Sequence, residues 1–253
     1  MARTVLVTGA NRGIGFYIVQ ALASGKPDDQ LILAARSLEK ATGAIDELRK
    51  LGVRSDHVDS LALDITDDAS IKAAEKTVRE RYGKLDVLIN NAAIALYPSP
   101  DEIDALRSIY NAIYDTNVSA VALVMSIFLP LLVLSPDPRV INVSSVAGSL
   151  GIVSKLADPI TPSIPYTVSK AALNMLTIEY RKLHPNVLFH ARICLHAVNP
   201  GYCRTGLNDF QGERDPLGGA SVVVDLTNAE RDKYKSGFWE KLEGAKECST
   251  LAW

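Results

Sequence analysis

The chain of 253 residues contains few cysteines, and the three it has, Cys194, Cys203 and Cys248, are widely spaced. An odd number of cysteines without a C-x-x-C pair excludes a disulfide framework and a zinc knuckle, so we expect reduced thiols. The four histidines do not form the H-E-x-x-H pattern of a catalytic zinc site. We therefore expect no bound metal.

The chain also lacks an excess of charge of either sign. It has 27 lysines and arginines against 29 acidic residues, which leaves a net charge of −2. Nucleic acid is held mainly through its phosphates and requires a basic surface, so it is excluded as a partner. A small-molecule partner is the expectation that remains.

Neither a leader nor a membrane span is evident in the sequence. The strand-like segment from Thr4 to Thr8 follows the first residues directly and leaves no space for the apolar region of a signal peptide. The apolar run from Val118 to Leu134 reaches only the shortest length that crosses a bilayer, and it contains Pro130. We interpret this run as a helix buried in a cytoplasmic protein without membrane contact, and a homodimer or tetramer is compatible with it.

Short apolar runs alternate with helical stretches along the chain, and 47% of all residues are hydrophobic. Uniformly apolar strands separated by helices are typical of a parallel sheet that is covered on both faces. The sequence therefore predicts an α/β fold, a doubly wound parallel sheet of the Rossmann type in a single domain over residues 1–253. The predicted strands are Val5 to Val7, Leu31 to Ala34, Leu61 to Leu63, Leu85 to Asn90, Val140 to Val143, and one within Leu188 to Val198. The predicted helices begin at Ile14 and Asp67 or span Leu38 to Leu51, Val118 to Leu134 and Tyr166 to His184.

Two segments interrupt this alternation. The first, at about residues 149–165, contains Pro159, Pro162 and Pro165, and the second, at about 206–219, is rich in glycine and charge. Loops of this length are usually functional or mobile. We interpret the first as an insertion and the second as a substrate loop.

A glycine-rich turn, T-G-A-N-R-G-I-G from Thr8 to Gly15, directly follows the first predicted strand and precedes the first helix. In an open parallel sheet the pyrophosphate of a dinucleotide binds there, on the free amides of the helix N-terminus. The G-x-x-x-G-x-G spacing differs from the commoner G-x-G-x-x-G. A tight connection between strand and helix is the alternative interpretation.

Tyr166 and Lys170 lie four residues apart in the segment I-P-Y-T-V-S-K, where Pro165 is suited to open a helix. This spacing brings both side chains to one helix face. A neighbouring ammonium favours the phenolate and lowers the pKa of the phenol. The alternative is a packed tyrosine beside a solvated lysine.

Taken in order, these motifs resemble the short-chain dehydrogenase/reductase family over nearly the whole chain. The motifs are Thr8 to Gly15, Asn90-Asn91-Ala92-Ala93, Asn117, Ser144-Ser145, Tyr166-x-x-x-Lys170 and Asn199-Pro200-Gly201. The segment from Gly219 to Trp239 most resembles the carbonyl-reductase branch. The resemblance implies that NADPH reduces a ketone or aldehyde to an alcohol.

The resemblance also assigns four catalytic roles. Tyr166 is implied as the general acid, Lys170 as its activator and ribose ligand, Ser145 as the group that orients the carbonyl, and Asn117 as the anchor of a water-mediated proton relay. Ser145 is preferred to Ser144 because it lies three residues before Gly148, as the family's serine lies before a glycine. A buried polar residue that bends a helix is the alternative for Asn117, and a capping or packing role is the alternative for Ser144.

Cofactor choice is predicted from the end of the second strand, where an acid binds the ribose 2′-hydroxyl of NAD and an arginine accommodates the phosphate of NADP. Arg36 stands there without an acid, and Arg12 adds a second cation, so the sequence indicates NADP(H). A merely solvated Arg36 is the alternative. The implied cofactor-binding residues are Gly9, Asn11, Arg12, Gly13, Ile14, Gly15, Arg36, Ser37, Asp64, Ile65, Asn91, Ala92, Tyr166, Lys170, Pro200, Gly201 and Thr205.

The segment between Ser145 and Tyr166 is longer than the family usually has, and it follows the catalytic serine directly. Apolar side chains near the expected site favour an aromatic or terpenoid-like ketone over a sugar. Two other functions stay open: an NAD-linked alcohol dehydrogenase, and a non-catalytic NADP-binding sensor or interaction protein. The residues expected to line the pocket are Ile94, Leu96, Tyr97, Ile152, Tyr202 and Phe210.

Overall fold

The computed structural model describes residues 2–25, 28–98, 103–183 and 193–253. In these residues the strands are β1 Thr4–Val7, β2 Gln30–Ala35, β3 Val58–Ala62, β4 Val87–Asn90, β5 Arg139–Val143, β6 Cys194–Asn199, β7 Gly237–Glu240 and β8 Ser249–Thr250. They form one sheet in the order β3-β2-β1-β4-β5-β6-β7-β8. Strands β1 to β7 pair in parallel, and β8 pairs antiparallel with β7.

Helices cover both faces of the sheet. They are α1 Gly13–Gly25, α2 Leu38–Lys50, α3 Asp68–Tyr82, α4 Ile103–Tyr114, α5 Ala120–Leu132, α6 Leu150–Val153, α7 Ile164–Leu183 and α8 Pro216–Asn228. Buried residues of α1, α2 and α8 form one apolar core with the sheet, and those of α3, α5 and α7 form a second. The predicted doubly wound α/β fold is therefore confirmed.

Local signals in the sequence set where several helices begin and end. Asp67 caps α3 by accepting a hydrogen bond of 2.9 Å from the Ala69 amide, and Gly83 ends this helix with a φ of 73°. Asp215 caps α8, which has a proline in its first turn. Such caps satisfy backbone groups that have no partner within the helix.

The order of strands in the sheet changes direction between β1 and β4: β2 and β3 lie on one side of β1, and the later strands lie on the other. The carboxyl ends of the parallel strands lie at the same edge of the sheet. Ligands of open α/β sheets bind at this edge, beside the reversal. Val7, Ala35, Asn90, Val143 and Asn199 end the strands that form it.

Several predicted boundaries were wrong. Strand β3 begins at Val58 rather than Leu61, and α4, α8, β7 and β8 were not predicted at all. Helix α8 begins at Pro216, so the end of the predicted loop at 206–219 is helical because Asp215 and Pro216 start a helix there. The part of the predicted strand at 188–192, and His184, lie outside the described residues.

The long apolar run forms α5, which the sequence predicted as a buried helix. Its residues Val124 and Phe128 are fully buried in the core that includes α3. The continuous helical stretch Ile103–Leu132 is long and apolar enough to cross a membrane, and 44% of its most apolar 18-residue segment is buried. The core helix of a soluble protein meets the same criterion, so this stretch is weak evidence for a span.

Candidate active site

Tyr166 and Lys170 lie at the carboxyl edge of the sheet, in the first turns of α7. The Lys170 ammonium lies 5.6 Å from the centroid of the Tyr166 ring. It donates a hydrogen bond of 2.8 Å to the carbonyl of Val143, the last residue of β5. Lys170 is 2% exposed, whereas Tyr166 is partly exposed. The lysine therefore joins α7 to β5 while its charge lies over the face of the phenol ring.

The pKa values of this pair differ from the sequence-based expectation. Burial raises the pKa of Tyr166 to about 12, and a hydrogen bond from Ser145 acts in the opposite direction. Burial lowers the pKa of Lys170 to about 7. The pKa of Tyr166 is therefore raised in this structure rather than lowered as expected, because burial outweighs the effect of Ser145.

Adjacent serines follow β5 and have different surroundings. The Ser145 hydroxyl faces Tyr166 and also accepts a hydrogen bond of 3.2 Å from the Ala147 amide, at the start of a 3₁₀ turn over Val146–Gly148. The Ser144 hydroxyl is buried and donates at 2.6 Å to Oδ1 of Asn174 in α7. These contacts favour Ser145 over Ser144 as the residue that meets a substrate.

Gly148 permits the close approach between the serine turn and α7. A Cβ at this position would lie 2.4 Å from the carbonyl carbon of Lys170, a distance that no side chain tolerates. The Gly148 carbonyl also accepts a hydrogen bond of 3.1 Å from Nδ2 of Asn174. The glycine three residues after Ser145 thus brings this turn against the helix that carries Tyr166.

Asn117 lies in a π-helical turn, Asp115–Ser119, between α4 and α5. Its Oδ1 accepts a hydrogen bond from the Ile94 amide, and its Nδ2 donates to the Ile94 carbonyl and to the Ser169 hydroxyl, all at 2.9–3.0 Å. Both amide hydrogens are therefore in use, and the side chain is fully buried. Asn117 holds the loop after β4 against α7, and its role as anchor of a proton relay stays a prediction.

The glycine-rich turn after β1 is built for close packing. Gly9 has a φ of 60°, and a Cβ there would lie 2.8 Å from Cα of Ala92. The Thr8 hydroxyl accepts hydrogen bonds of 3.0 and 3.1 Å from the amides of Asn91 and Ala92. Nδ2 of Asn91 donates to the carbonyls of Thr8 and Gly9. Asn91 and Ala92 therefore support the turn directly.

The two arginines predicted to select NADP(H) are exposed on neighbouring connections. Arg12 lies in the turn after β1, and Arg36 follows β2. The two connections are joined by a hydrogen bond of 2.8 Å from the Ala10 amide to the Ala34 carbonyl. Neither guanidinium takes part in an ion pair in the described ranges, so both remain available to an anion.

The other predicted residues on this side have structural partners. The Ser37 hydroxyl accepts from the Lys40 amide at 3.4 Å and caps α2. Oδ1 of Asp64 accepts from the amide and the hydroxyl of Thr66 at 3.0 and 2.7 Å, which fixes the turn after β3. Ile65 is 7% exposed and belongs to the apolar core.

The residues after β6 face the glycine-rich turn. Thr205 packs beside it, since a Cβ on Gly13 would lie 3.8 Å from Cβ of Thr205. Arg214, which sequence reasoning missed, donates to the Pro200 carbonyl at 2.9 Å and to the carbonyls of Gly218 and Lys241. A single arginine in a charged loop gives no sequence signal for this role. Arg214 holds the loop beside Gly201, whose φ is 81°.

Aromatic side chains form the exposed rim of the site. Tyr97, Tyr202 and Phe210 are 47%, 59% and 66% exposed. Burial raises the pKa of Tyr97, and Tyr202 and Asp209 add to the effect, so these groups lie near one another. Asp209 and Phe210 have positive φ angles of 49° and 62°, which are strained for residues other than glycine.

Cys203 lies in the loop after β6 and is a buried thiol. Burial raises the pKa of this thiol to about 11.

A groove of about 360 Å³ between α1 and α8 is lined by Gln20, Leu217 and their neighbours, and none of the predicted site residues borders it. The predicted site residues at the carboxyl edge of the sheet are therefore separate from this groove.

This edge fits a dinucleotide phosphate. Gly13 begins α1 with a φ of 59°, and the first turn of this helix carries no acidic residue. Free amides at a helix N-terminus attract an anion. Two exposed arginines lie on the adjacent connections.

A family model described as short chain dehydrogenase matches residues 3–215. The chain belongs to the short-chain dehydrogenase family. The resemblance in the sequence motifs is thereby confirmed, and the protein is an oxidoreductase of this family.

Relatives of this short-chain dehydrogenase match along most of their length. A short-chain dehydrogenase/reductase of Aspergillus fumigatus is 35% identical over 260 residues, which cover 99% of this chain and 97% of the relative. The NADPH carbonyl reductase 1 of Sus scrofa is 30% identical, with coverage of 88% and 86%. The structure of NADPH-bound carbonyl reductase from chicken fatty liver matches with a TM-score of 0.79 and 32% identity, covering 100% of this chain and 99% of that one.

Proposed function

We propose that this protein reduces a ketone or aldehyde to an alcohol, with hydride from NADPH and a proton from Tyr166. The observation that carries the proposal is the joint position of Ser145, Tyr166 and Lys170. The Ser145 hydroxyl lies close enough to the phenol to lower its pKa, and the Lys170 ammonium lies 5.6 Å from the ring centroid.

Each of these residues has a task in the reaction. Hydride addition to the carbonyl carbon leaves negative charge on oxygen, which must be stabilised and protonated as it develops. The Ser145 hydroxyl orients the carbonyl by donating to its oxygen. Tyr166, with its pKa raised to about 12, is protonated at neutral pH and gives its proton to that oxygen. The charged form of Lys170 then stabilises the phenolate until a water relay, which Asn117 would anchor, returns a proton to it.

NADPH would bind along the edge from the glycine-rich turn to Thr205. When bound, it supplies the hydride, and its oxidised nicotinamide adds a positive charge that favours the phenolate. The available guanidinium groups of Arg12 and Arg36 support NADPH over NADH, because no acid follows β2 to bind a 2′-hydroxyl. The porcine relative is an NADPH carbonyl reductase and the chicken enzyme was solved with NADPH bound, which supports the same choice.

The exposed rim supports an apolar substrate. Tyr97 lies near Tyr166, and Tyr202 lies near Tyr97. With the exposed ring of Phe210, these aromatic faces suit an aromatic or terpenoid-like ketone better than a sugar. The proposal includes one NADP-binding reductase domain over residues 1–253, with an insertion at about 149–165, in a cytoplasmic homodimer or tetramer.

The test measures NADPH consumption against a panel of ketones and aldehydes, with NADH run in parallel. We expect turnover with apolar ketones and NADPH. Tyr166→Phe keeps the ring but deletes the proton, so its turnover should fall by about 10²–10⁴-fold while NADPH binding is retained. Tyr110→Phe, which removes a phenol hydroxyl from α4, is the control. Tight NADPH binding without turnover across the panel would instead favour a sensor, and near-normal turnover by folded Tyr166→Phe would refute the mechanism.

A further inference from the structure

We propose that residues 249–253 form a strap that holds α6 in position beside the active site and thereby sets the affinity for bulky ketones. The claim that the strap positions α6, called here the positional part, concerns only contacts within the protein. The part about affinity rests on the proposed reductase function. Trp253 and Ala252 are, in this proposal, positioning residues that act through α6.

The strap is attached firmly to the sheet. Strand β8 pairs with β7, and the Leu251 amide donates a hydrogen bond of 2.8 Å to the Phe238 carbonyl. The Trp253 ring stacks on the Phe238 ring, with 5.6 Å between centroids and 27° between planes. Phe238 is 1% exposed, so the strap rests on a side chain fixed in the core.

The last two residues of the strap contact α6 directly. The Ser149 hydroxyl donates a hydrogen bond of 2.7 Å to the Ala252 carbonyl. The Gly151 amide donates one of 2.8 Å to the backbone oxygen of Trp253. Packing is also close, because a Cβ on Gly151 would lie 3.0 Å from Cβ of Ala252.

Helix α6 depends on these contacts because it has little stability of its own. It consists of four residues, none of which is buried, and Leu150 is 71% exposed. A single helical turn is unstable in isolation, since fixing its backbone costs more than its few hydrogen bonds return. The Ser149 hydroxyl caps α6 by accepting a hydrogen bond of 3.2 Å from the Ile152 amide. This cap and the strap together give α6 the stability that it does not gain from burial.

The position of α6 matters for the site because Gly148 precedes it and packs against the backbone of Lys170. Ser145 begins the same turn. Beyond α6 the chain continues through exposed Leu156 and Ile160 toward Tyr166. A displaced α6 would therefore move the apolar border of the substrate entrance while leaving the glycine-rich turn in place.

The positional part is tested by hydrogen–deuterium exchange, which needs no turnover. In Trp253→Ala, we expect the amides of residues 150–154 to exchange faster by roughly 2- to 10-fold, the scale of one lost aromatic contact. Leu51→Ala, which truncates an exposed side chain after α2, is the control. Unchanged exchange at residues 150–154 would overturn the strap.

The part about affinity is tested with Gly151→Ala, whose methyl group would press against Ala252. We expect a several-fold higher KM for a bulky ketone, with an unchanged kcat and NADPH Kd. Gly43→Ala, where a Cβ meets nothing within 4 Å, should match the wild type. An unchanged KM with faster exchange would overturn the role in affinity. If the protein reduces no carbonyl, the proposed function fails, and the exchange result still decides whether the strap exists.

Discussion

Ser144 and Ser145 are neighbours in the chain, yet their hydroxyls serve different partners. Ser144 donates to Oδ1 of Asn174 at 2.6 Å inside the protein, whereas Ser145 faces the phenol of Tyr166. One hydroxyl joins β5 to α7, and the other faces the proposed acid. This division makes the two serines a matched pair for mutation.

Ser145→Ala should lower kcat by about 10²–10³-fold, the scale of one lost donor to a developing oxyanion. Ser144→Ala should instead lower the free energy of unfolding by about 1–3 kcal/mol, because Asn174 loses its buried donor. Urea denaturation and steady-state kinetics on both variants separate these effects. A large loss of kcat in a stably folded Ser144→Ala protein, with normal kcat in Ser145→Ala, would reverse the assignment.

Arg36→Asp should narrow or invert the preference for NADPH over NADH. The expected change is about 1–3 kcal/mol, the scale of a hydrogen bond to a charged group. The Kd values of both cofactors, measured by fluorescence titration, provide the ratio. Arg107→Asp on α4 makes the same charge change away from the predicted site. An unchanged ratio in Arg36→Asp would remove Arg36 from the cofactor site.

Lys170→Met should change how stability depends on pH. Burial lowers the pKa of Lys170 to about 7 in the folded protein, against an ordinary value of 10.5. Between these values the unfolded chain binds a proton that the folded protein lacks, so raising the pH favours folding. Below pH 7 the cost of burying the ammonium is fully present.

We therefore expect the wild type to gain stability relative to Lys170→Met between pH 7.5 and 9.5, by at most ~1.4 kcal/mol per pH unit. Urea denaturation of both proteins at these pH values measures the difference. The other titrating groups are the same in both proteins, so their contributions to the difference in stability largely cancel. A difference that stays constant with pH would contradict a buried, weakly basic Lys170.

Replacing Leu156–Ile160 with two glycines should change the relative kcat/KM for different ketones. These residues are exposed and lie between α6 and Tyr166, so the deletion alters the expected border of the entrance. The NADPH Kd should remain nearly the same, since the glycine-rich turn and Arg36 are untouched. If NADPH binding is lost while the ketone preference stays the same, the segment has a structural role.

Much of the fold was predictable because its signals are local. Uniformly apolar strands separated by helices indicate a covered parallel sheet, and this pattern placed β1, β2, β4 and β5 to within two residues. Strand β8 was missed because its two exposed residues carry no apolar signal. Helix α4 was missed as well, and only Ile113 in it is buried.

The family, the sheet and the positions of Tyr166, Lys170 and the glycine-rich turn could be predicted from the sequence, because they depend on the order and short spacing of residues. The partners of Ser144, the anchoring role of Arg214 and the strap become visible only in the folded chain. Their contacts join residues that are far apart in the sequence, as Ser149 and Ala252 do across 103 residues. The pKa of Tyr166 also depends on the tertiary structure, because burial is set by everything packed around the side chain and outweighs the lowering by Ser145.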